Sequence, residues 1–422
     1  MKLLVEKSSL SGIVPVPASK SHTIRAVVIG SLADGESAIT NPLVSADTLS
    51  AVRVCRGFGA EIETEDEWVV EGVCGKPAVP TGVLDVGNSG TTLYLTMGMA
   101  ALADGWTTFT GDDQIRSRPA GPLLEALNSL GAEAVSEGGD GRPPLRIKGP
   151  MRGGKAEIDS SQTSQYLSSL LLNCPLAEGE TEITVHNAVE RPYIEMTLGW
   201  LDEQQINYER RGFEWFLIPG GQVYDGFMKP MPADFSSAAF FMCAAAITGS
   251  ELILEGLEMH DSQGDKAIVE MLRQMGCAIE DVPGGLAVRG GELAAGAFDL
   301  GSTPDLLPAM AVTACFAQGS TLLMNVPQAR LKETDRIRVM HEELAKMGAE
   351  VEELPDGMIV TGKPLHGARV DGRGDHRVVM ALAVAGLACD GVTEVATAEA
   401  AGITFPNFVE LMQGAGARMS AG

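Results

Sequence analysis

The chain has 422 residues, 45% of them hydrophobic and 21% charged, with a formal net charge of −25 at pH 7. That length allows two or three domains with full cores, and the apolar fraction excludes a disordered chain. The acidic balance excludes broad recognition of nucleic acid or of an anionic membrane, both of which need a basic face.

Seven cysteines are scattered at 55, 74, 174, 243, 277, 315 and 389, none at CxxC spacing. They read as reduced, mostly buried thiols, with no disulfide framework and no metal site. The opening MKLLVEKSSLSG reads as neither a signal nor a transit peptide, and no apolar run reaches the roughly 18 residues of a membrane span. A cytoplasmic protein is expected.

In chain order, two short strands come first, KLLVEK and GIVPV, and the Pro-rich VPVPAS leads out of them. A repeat then takes over. Six times an apolar, Ala-rich helical segment runs into a glycine and a β-rich stretch: SLADGESAIT, ALADGWTTFT, PLAEGETEIT, AAITGSELIL, CFAQGSTLLM and LACDGVTEVA. The glycines are Gly35, Gly105, Gly179, Gly249, Gly319 and Gly391, spaced 70–74 residues apart. The pattern predicts a helix ended by a glycine C-cap and followed by a strand. A second mark follows 24–29 residues later: FGAEIE, LGAEAV, QINYER (the weakest), MGCAIE, MGAEVE and AGARMS. Each closes a second helix and turns into a strand. One unit is therefore strand, helix, strand, helix and two strands.

The sixth unit breaks off after GAGARMSAG, leaving a gap that the two opening strands can fill. The predicted domains are 19–228, with three units, and 1–18 plus 229–422, with the other three. Pro-rich stretches mark both crossings, VPVPAS and MKPMPADF, so a hinge is expected there and a ligand between the halves.

The first helix of each unit is apolar along its body and polar at its start. In order the starts read SKSHTIR, GNSGTT, SSQTSQ, ADFSS, GSTPD and GDHR. Any one of them alone reads as an ordinary N-cap. Lys20, Arg25, His376 and Arg377 are not capping types, however, and GNSGT holds more small polar residues than a cap needs. Helix N-termini carry partial positive charge and unpaired N–H groups, so this excess points to anion sites. Arg118 precedes a helix-starting Pro119 in GDDQIRSRPAG. RLKETDRIRVM places Lys332 and Arg336 four residues apart, with Glu333 and Asp335 interleaved. Such a run can be a solvated, salt-bridged face. It can equally pair anion-binding cations with carboxylates that move protons.

The ordered set SKSHTIR, GNSGT, SRP, SQTSQYL, RPYIE, TPDLLPAMA, LKETDRIR, GDHR and TFPNF resembles the motifs of the enolpyruvyl transferase family, on its 5-enolpyruvylshikimate-3-phosphate synthase branch. The resemblance covers nearly the whole chain. It implies an α/β fold of two inverse α/β-barrel-like domains, each of three βαβαββ units. It implies an enzyme that moves the enolpyruvyl group of phosphoenolpyruvate onto the 5-hydroxyl of shikimate 3-phosphate, releasing phosphate without metal or cofactor. By match, Lys20, Gly90, Arg118, Gln165, Arg336 and Arg377 would hold phosphoenolpyruvate, a side chain at Gly90 crowding its phosphate. Lys20, Ser21, Arg25, Thr163, Ser164, Gln165, Tyr193, Asp305 and Lys332 would hold shikimate 3-phosphate. Asp305 would be the hydroxyl base, Glu333 and Lys20 would handle protons at the enolpyruvyl carbon, and His376 would support them by hydrogen bonding. The implied partners are these small molecules, with no nucleic acid or membrane, and the chain is expected to be a monomer.

Three positions depart from the pattern. Ile403 stands where many members have Lys, Tyr94 where many have Arg, and Glu190 where a Ser often meets the substrate phosphate. A carboxylate at Glu190 would repel that phosphate. The alternative is the sister branch that loads enolpyruvate onto UDP-N-acetylglucosamine, which usually carries a reactive Cys in the loop matching DDQIRSRP; this chain has none there. A non-enzymatic repeat scaffold is the remote alternative.

Overall fold

A computed structural model describes all 422 residues. The chain divides into two compact units, an inserted unit Ala18–Met231 and a flanking unit made of Met1–Pro17 with Pro232–Gly422. The inserted unit holds helices α1 (Lys20–Leu32), α2 (Ala46–Gly57), α3 (Gly90–Ala100), α4 (Asp113–Ser117), α5 (Gly121–Ser129), α6 (Gln165–Asn173) and α7 (Arg191–Glu203). The flanking unit holds α8 (Phe235–Thr248), α9 (Ala267–Gln274), α10 (Leu307–Cys315), α11 (Arg336–Lys346), α12 (His376–Gly386) and α13 (Phe408–Gly414).

Each unit has three four-stranded sheets. In four of the six sheets the first two strands of a repeat run parallel, joined across an apolar helix. In five the last two form an antiparallel hairpin against the second strand. Lys2–Glu6 completes the sixth repeat by pairing antiparallel with Val392–Ala396 and with Arg418–Ala421. Ser11–Pro15 adds parallel to Glu251–Glu255, as Met228–Pro230 does to Glu36–Thr40.

The apolar helices form the cores because they have no polar face to show to water. In α8 every residue from Phe235 to Ala246 is buried, and α8, α10 and α12 pack on one another. In the inserted unit α3 packs against both α1 and α6. No helix is long and apolar enough to cross a membrane.

The first glycine mark differs from its predicted role. Only Gly249 is a left-handed C-cap. Helix α1 already ends at Leu32, and Asp34 then bridges to Asp225 before Gly35 leads into the strand Glu36–Thr40. The second mark is conformational. Gly59, Gly131, Gly276, Gly348 and Gly416 all have φ between 91° and 108°, and the weak third echo carries Gln205 at φ 55° in their place.

A further periodicity was not read from the sequence. Gly72, Gly149, Gly220, Gly290 and Gly362 each follow the last strand of a repeat, where it crosses the C-terminal end of the inner helix. A Cβ at any of them would collide with a backbone carbonyl there, such as that of Ala33, Ala101, Ala177, Ala245 or Ala317. In the sixth repeat Lys7 and Ser8 occupy this crossing instead, and the Ser8 N–H donates to Leu387 O at 2.9 Å. Gly362→Ala should therefore destabilise the fold by about 1–3 kcal/mol. Gly199→Ala, in the open interior of α7 with nothing near the added methyl, should stabilise by about 0.5–1 kcal/mol. Denaturant midpoints of the two variants should move in opposite directions.

Candidate active site

In the inserted unit, the polar starts of α1 and α3 are linked through the first turn of α2. Ser19 caps α1 and Ser89 caps α3, so part of their polarity is ordinary capping. Lys20, the first residue of α1, reaches Asp47 at 3.1 Å in the first turn of α2. The Asp47 carbonyl lies 3.4 Å from the Thr92 hydroxyl of α3. Arg25 is buried, one turn further along α1. Its Nε donates to Thr197 Oγ1 at 3.0 Å, and its outer nitrogens donate to the carbonyls of Ser21 and Tyr193 at 3.1 and 3.2 Å. Burial lowers its pKa to about 10, with Tyr193 acting the other way, so the guanidinium stays charged at neutral pH.

Gly90 opens α3 and leaves room for Arg118. A Cβ there would overlap the Arg118 guanidinium, whose Cζ would lie only 3.2 Å away. The smallness of Gly90 thus first serves a protein cation, one step before any phosphate. Arg118 itself follows α4 and is 8% exposed. At the start of α6, Thr163 Oγ1 accepts the Gln165 N–H at 3.2 Å, and Gln165 Oε1 is buried with no hydrogen-bond partner.

Glu190 resolves into something the sequence did not show. Held at φ 51°, it places Oε2 on Ser164, accepting from the backbone N–H at 3.2 Å and from the hydroxyl at 2.9 Å. Its carboxylate occupies the positively polarised start of α6, the kind of seat an anion takes. Tyr94 sends its hydroxyl to Pro119 O at 2.8 Å. Ile403 packs against the apolar core of the flanking unit.

In the flanking unit the predicted residues converge on Arg336, the first residue of α11 and 1% exposed. Its Nη1 meets Asp305 Oδ1 at 2.7 Å, its Nη2 meets Glu333 Oε2 at 2.6 Å, and its Nε meets Asp375 Oδ2 at 2.8 Å. Asp305 sits in the turn Pro304–Leu306 leading into α10, and its second oxygen meets Arg377 Nη2 at 2.9 Å. Asp375 also caps α12, accepting the Arg377 N–H at 2.9 Å, which places buried His376 and Arg377 in its first turn. The KETDR run is thus half-buried and ends on a buried hub at Arg336, contrary to the solvated-face alternative.

Burial would raise the Asp305 carboxyl, but Arg377, Lys332 and Arg336 outweigh it and hold the group well below the usual carboxylate range. Asp265 behaves oppositely. It is buried beside α8, where the Ser236 hydroxyl donates to it, and burial and then the Asp305 charge push its pKa up to about 7. Asp47, Asp265 and Asp375 carry no role in the sequence reading. Their positions in SAD, SQGD and GDHR, next to helix starts, were the available signal.

The EPSP synthase (3-phosphoshikimate 1-carboxyvinyltransferase) family model matches residues 5–412. The chain is 52% identical over 421 residues to a 3-phosphoshikimate 1-carboxyvinyltransferase of Acetivibrio thermocellus, covering 100% of this chain and 99% of that one. It is 47% identical over 408 residues to the protein of that name from Methanocella arvoryzae, covering 96% of each. The solved structure of EPSP synthase from Acinetobacter baumannii matches with a TM-score of 0.83 at 29% identity, covering 100% of both chains.

The Asp265 environment sets a pH dependence. A carboxyl raised from about 4 in the unfolded chain binds its proton more tightly when folded, so stability falls as pH climbs from about 4 to about 7. Asp265→Asn removes that titration. The melting temperature of the variant minus that of the parent should grow across this window and level off above it; a constant difference would remove Asp265 as the cause.

Proposed function

The chain belongs to the EPSP synthase family, and from that membership we propose how its residues divide the reaction. It transfers the enolpyruvyl group of phosphoenolpyruvate to the 5-hydroxyl of shikimate 3-phosphate and releases phosphate, within aromatic amino-acid biosynthesis. In our reading Lys20, Gly90, Arg118, Gln165, Arg336 and Arg377 hold phosphoenolpyruvate, Gly90 by leaving room for Arg118. Lys20, Ser21, Arg25, Thr163, Ser164, Gln165, Tyr193, Asp305 and Lys332 hold shikimate 3-phosphate, with Glu190 orienting Ser164. The domain division is proposed at 19–228 and 1–18 plus 229–422, within three residues of the bounds of the compact units. Small anions are the only substrates, and we place the enzyme in the cytoplasm as a monomer without a nucleic-acid partner, which its net charge of −25 favours.

The observation that carries the mechanism is the double salt bridge of Arg336 to Asp305 and Glu333, at 2.7 and 2.6 Å. One guanidinium sets the two carboxylates assigned to opposite proton transfers on either end of its fork. Asp305 takes the proton of the 5-hydroxyl as its oxygen bonds to C2 of phosphoenolpyruvate. Glu333, with Lys20, delivers a proton to C3. The C2–O bond to phosphate then breaks, the departing phosphate taking the proton held by Asp305, and the C3 proton returns to Glu333 as the double bond re-forms. At rest Asp305 is a weak base, because its cations hold its pKa down. When the anionic substrate takes N–H donors of Arg336 and Arg377, that hold loosens and Asp305 gains proton affinity. His376, in the first turn of α12, supports the same corner.

Phosphate release should require phosphoenolpyruvate with shikimate 3-phosphate, and UDP-N-acetylglucosamine should not replace the latter. In that assay Asp305→Ala and Glu333→Ala should each cut kcat by roughly 10²–10⁴-fold with circular dichroism unchanged; near-normal rates would take them out of the proton transfers. Gly90→Ala should raise KM for phosphoenolpyruvate while leaving KM for shikimate 3-phosphate near its starting value, because the added methyl displaces Arg118. Equal rises in both constants would refute the Gly90–Arg118 account.

A further inference from the structure

The backbone around Arg118 is held on both sides by hydrogen bonds. The Arg118 N–H donates to Ile115 O at 3.0 Å, and the Ala120 N–H donates to Gly141 O at 2.7 Å. Pro119, between them, has no N–H, and its ring restricts Arg118 to extended backbone, observed at φ −78° and ψ 132°. The Pro119 carbonyl then accepts two phenols, Tyr94 from α3 at 2.8 Å and Tyr166 from α6 at 2.6 Å. The two rings meet edge to face with centroids 5.1 Å apart. A buried carbonyl is satisfied by one donor. A second donor, from a different helix, adds direction, because the carbonyl can no longer swing toward either one.

Both tyrosines are buried, and Tyr166 also lies 3.2 Å from Gln162 Oε1 in the loop before Thr163. Burial, and then the neighbouring Tyr94, hold the Tyr166 phenol above its ordinary range, so it stays a donor at any working pH. On the other side, Gly90 leaves the only space the guanidinium needs. We propose that Tyr94 and Tyr166 are a positioning pair for Arg118, two phenols on the Pro119 carbonyl that aim its guanidinium across Gly90 toward the anion it binds. The proposal rests on the assignment of Arg118 to phosphoenolpyruvate.

Tyr94→Phe, Tyr166→Phe and the double variant keep the ring packing and remove the donors. Each single change leaves one donor and should raise KM for phosphoenolpyruvate less than about threefold. The double variant should raise it about tenfold or more, beyond the product of the singles, with KM for shikimate 3-phosphate within about twofold. A double variant that melts earlier but keeps its phosphoenolpyruvate KM would overturn the proposal, as would equal rises in both constants. Should the double be too unstable to assay, saturating shikimate 3-phosphate is added to stabilise the folded chain, and the phosphoenolpyruvate KM is read under the same criteria. Arg118→Ala separates the two ways of failing. If it leaves the phosphoenolpyruvate KM unchanged, the assignment of Arg118 falls and the pair with it. A large effect there beside a silent double variant overturns the pair alone.

Discussion

A fully buried guanidinium needs partners that replace its lost hydration, and Arg336 finds them in three carboxylates. Burial lowers its pKa, but Asp375, Glu333 and Asp305 outweigh burial and raise it above the ordinary guanidinium value. The local fold follows from this hub. Asp375 has to stand at the N-cap of α12 to reach Nε, which sets His376 and Arg377 in the first turn beside it. Asp305 has to lie in a turn ahead of α10, and Glu333 just before α11. Breaking a buried pair leaves an uncompensated charge and costs about 3–5 kcal/mol, so the arrangement is as much a structural demand as a chemical one.

The inserted unit satisfies its buried cation differently. Arg25 spends its donors on a hydroxyl and two carbonyls, all neutral. Its positive charge is therefore hydrogen-bonded without being neutralised, and it remains available to an anion through the field. The contrast gives the two units different work. Cations matched with carboxylates can exchange protons and shift pKa values when a substrate anion intervenes. Cations held by neutral acceptors can attract and orient that anion without giving up a partner.

Glu190 and Tyr94 show why departures from a family pattern are hard to interpret from residue type. A carboxylate near a phosphate seat looks repulsive, yet Glu190 is spent on the N–H and hydroxyl of Ser164. A tyrosine in place of a cation looks like a lost contact, yet Tyr94 pins the carbonyl beside Arg118. Ile403 is simpler: it turns to the core. In each case the decisive fact is a backbone direction or a neighbour distant in the chain.

The amino-acid order by itself determined the six repeats, the apolar helices that must be buried, the polar starts of those helices and the enolpyruvyl transferase motif set. These are local properties, carried by periodicity, glycine spacing and contiguous residues. Even the weak third echo was faithful, because Gln205 adopts the left-handed turn that glycine takes elsewhere. Only the tertiary structure decided that Arg336 of KETDR is buried, that Gly90 makes room for Arg118, and that five strand-ending glycines sit against helix carbonyls. It alone identified Asp375 and Asp265 as members of the charge network. Those facts depend on which residues from separate repeats come within 3 Å of one another, and on how much water they exclude. Neither quantity is a property of any one stretch of chain.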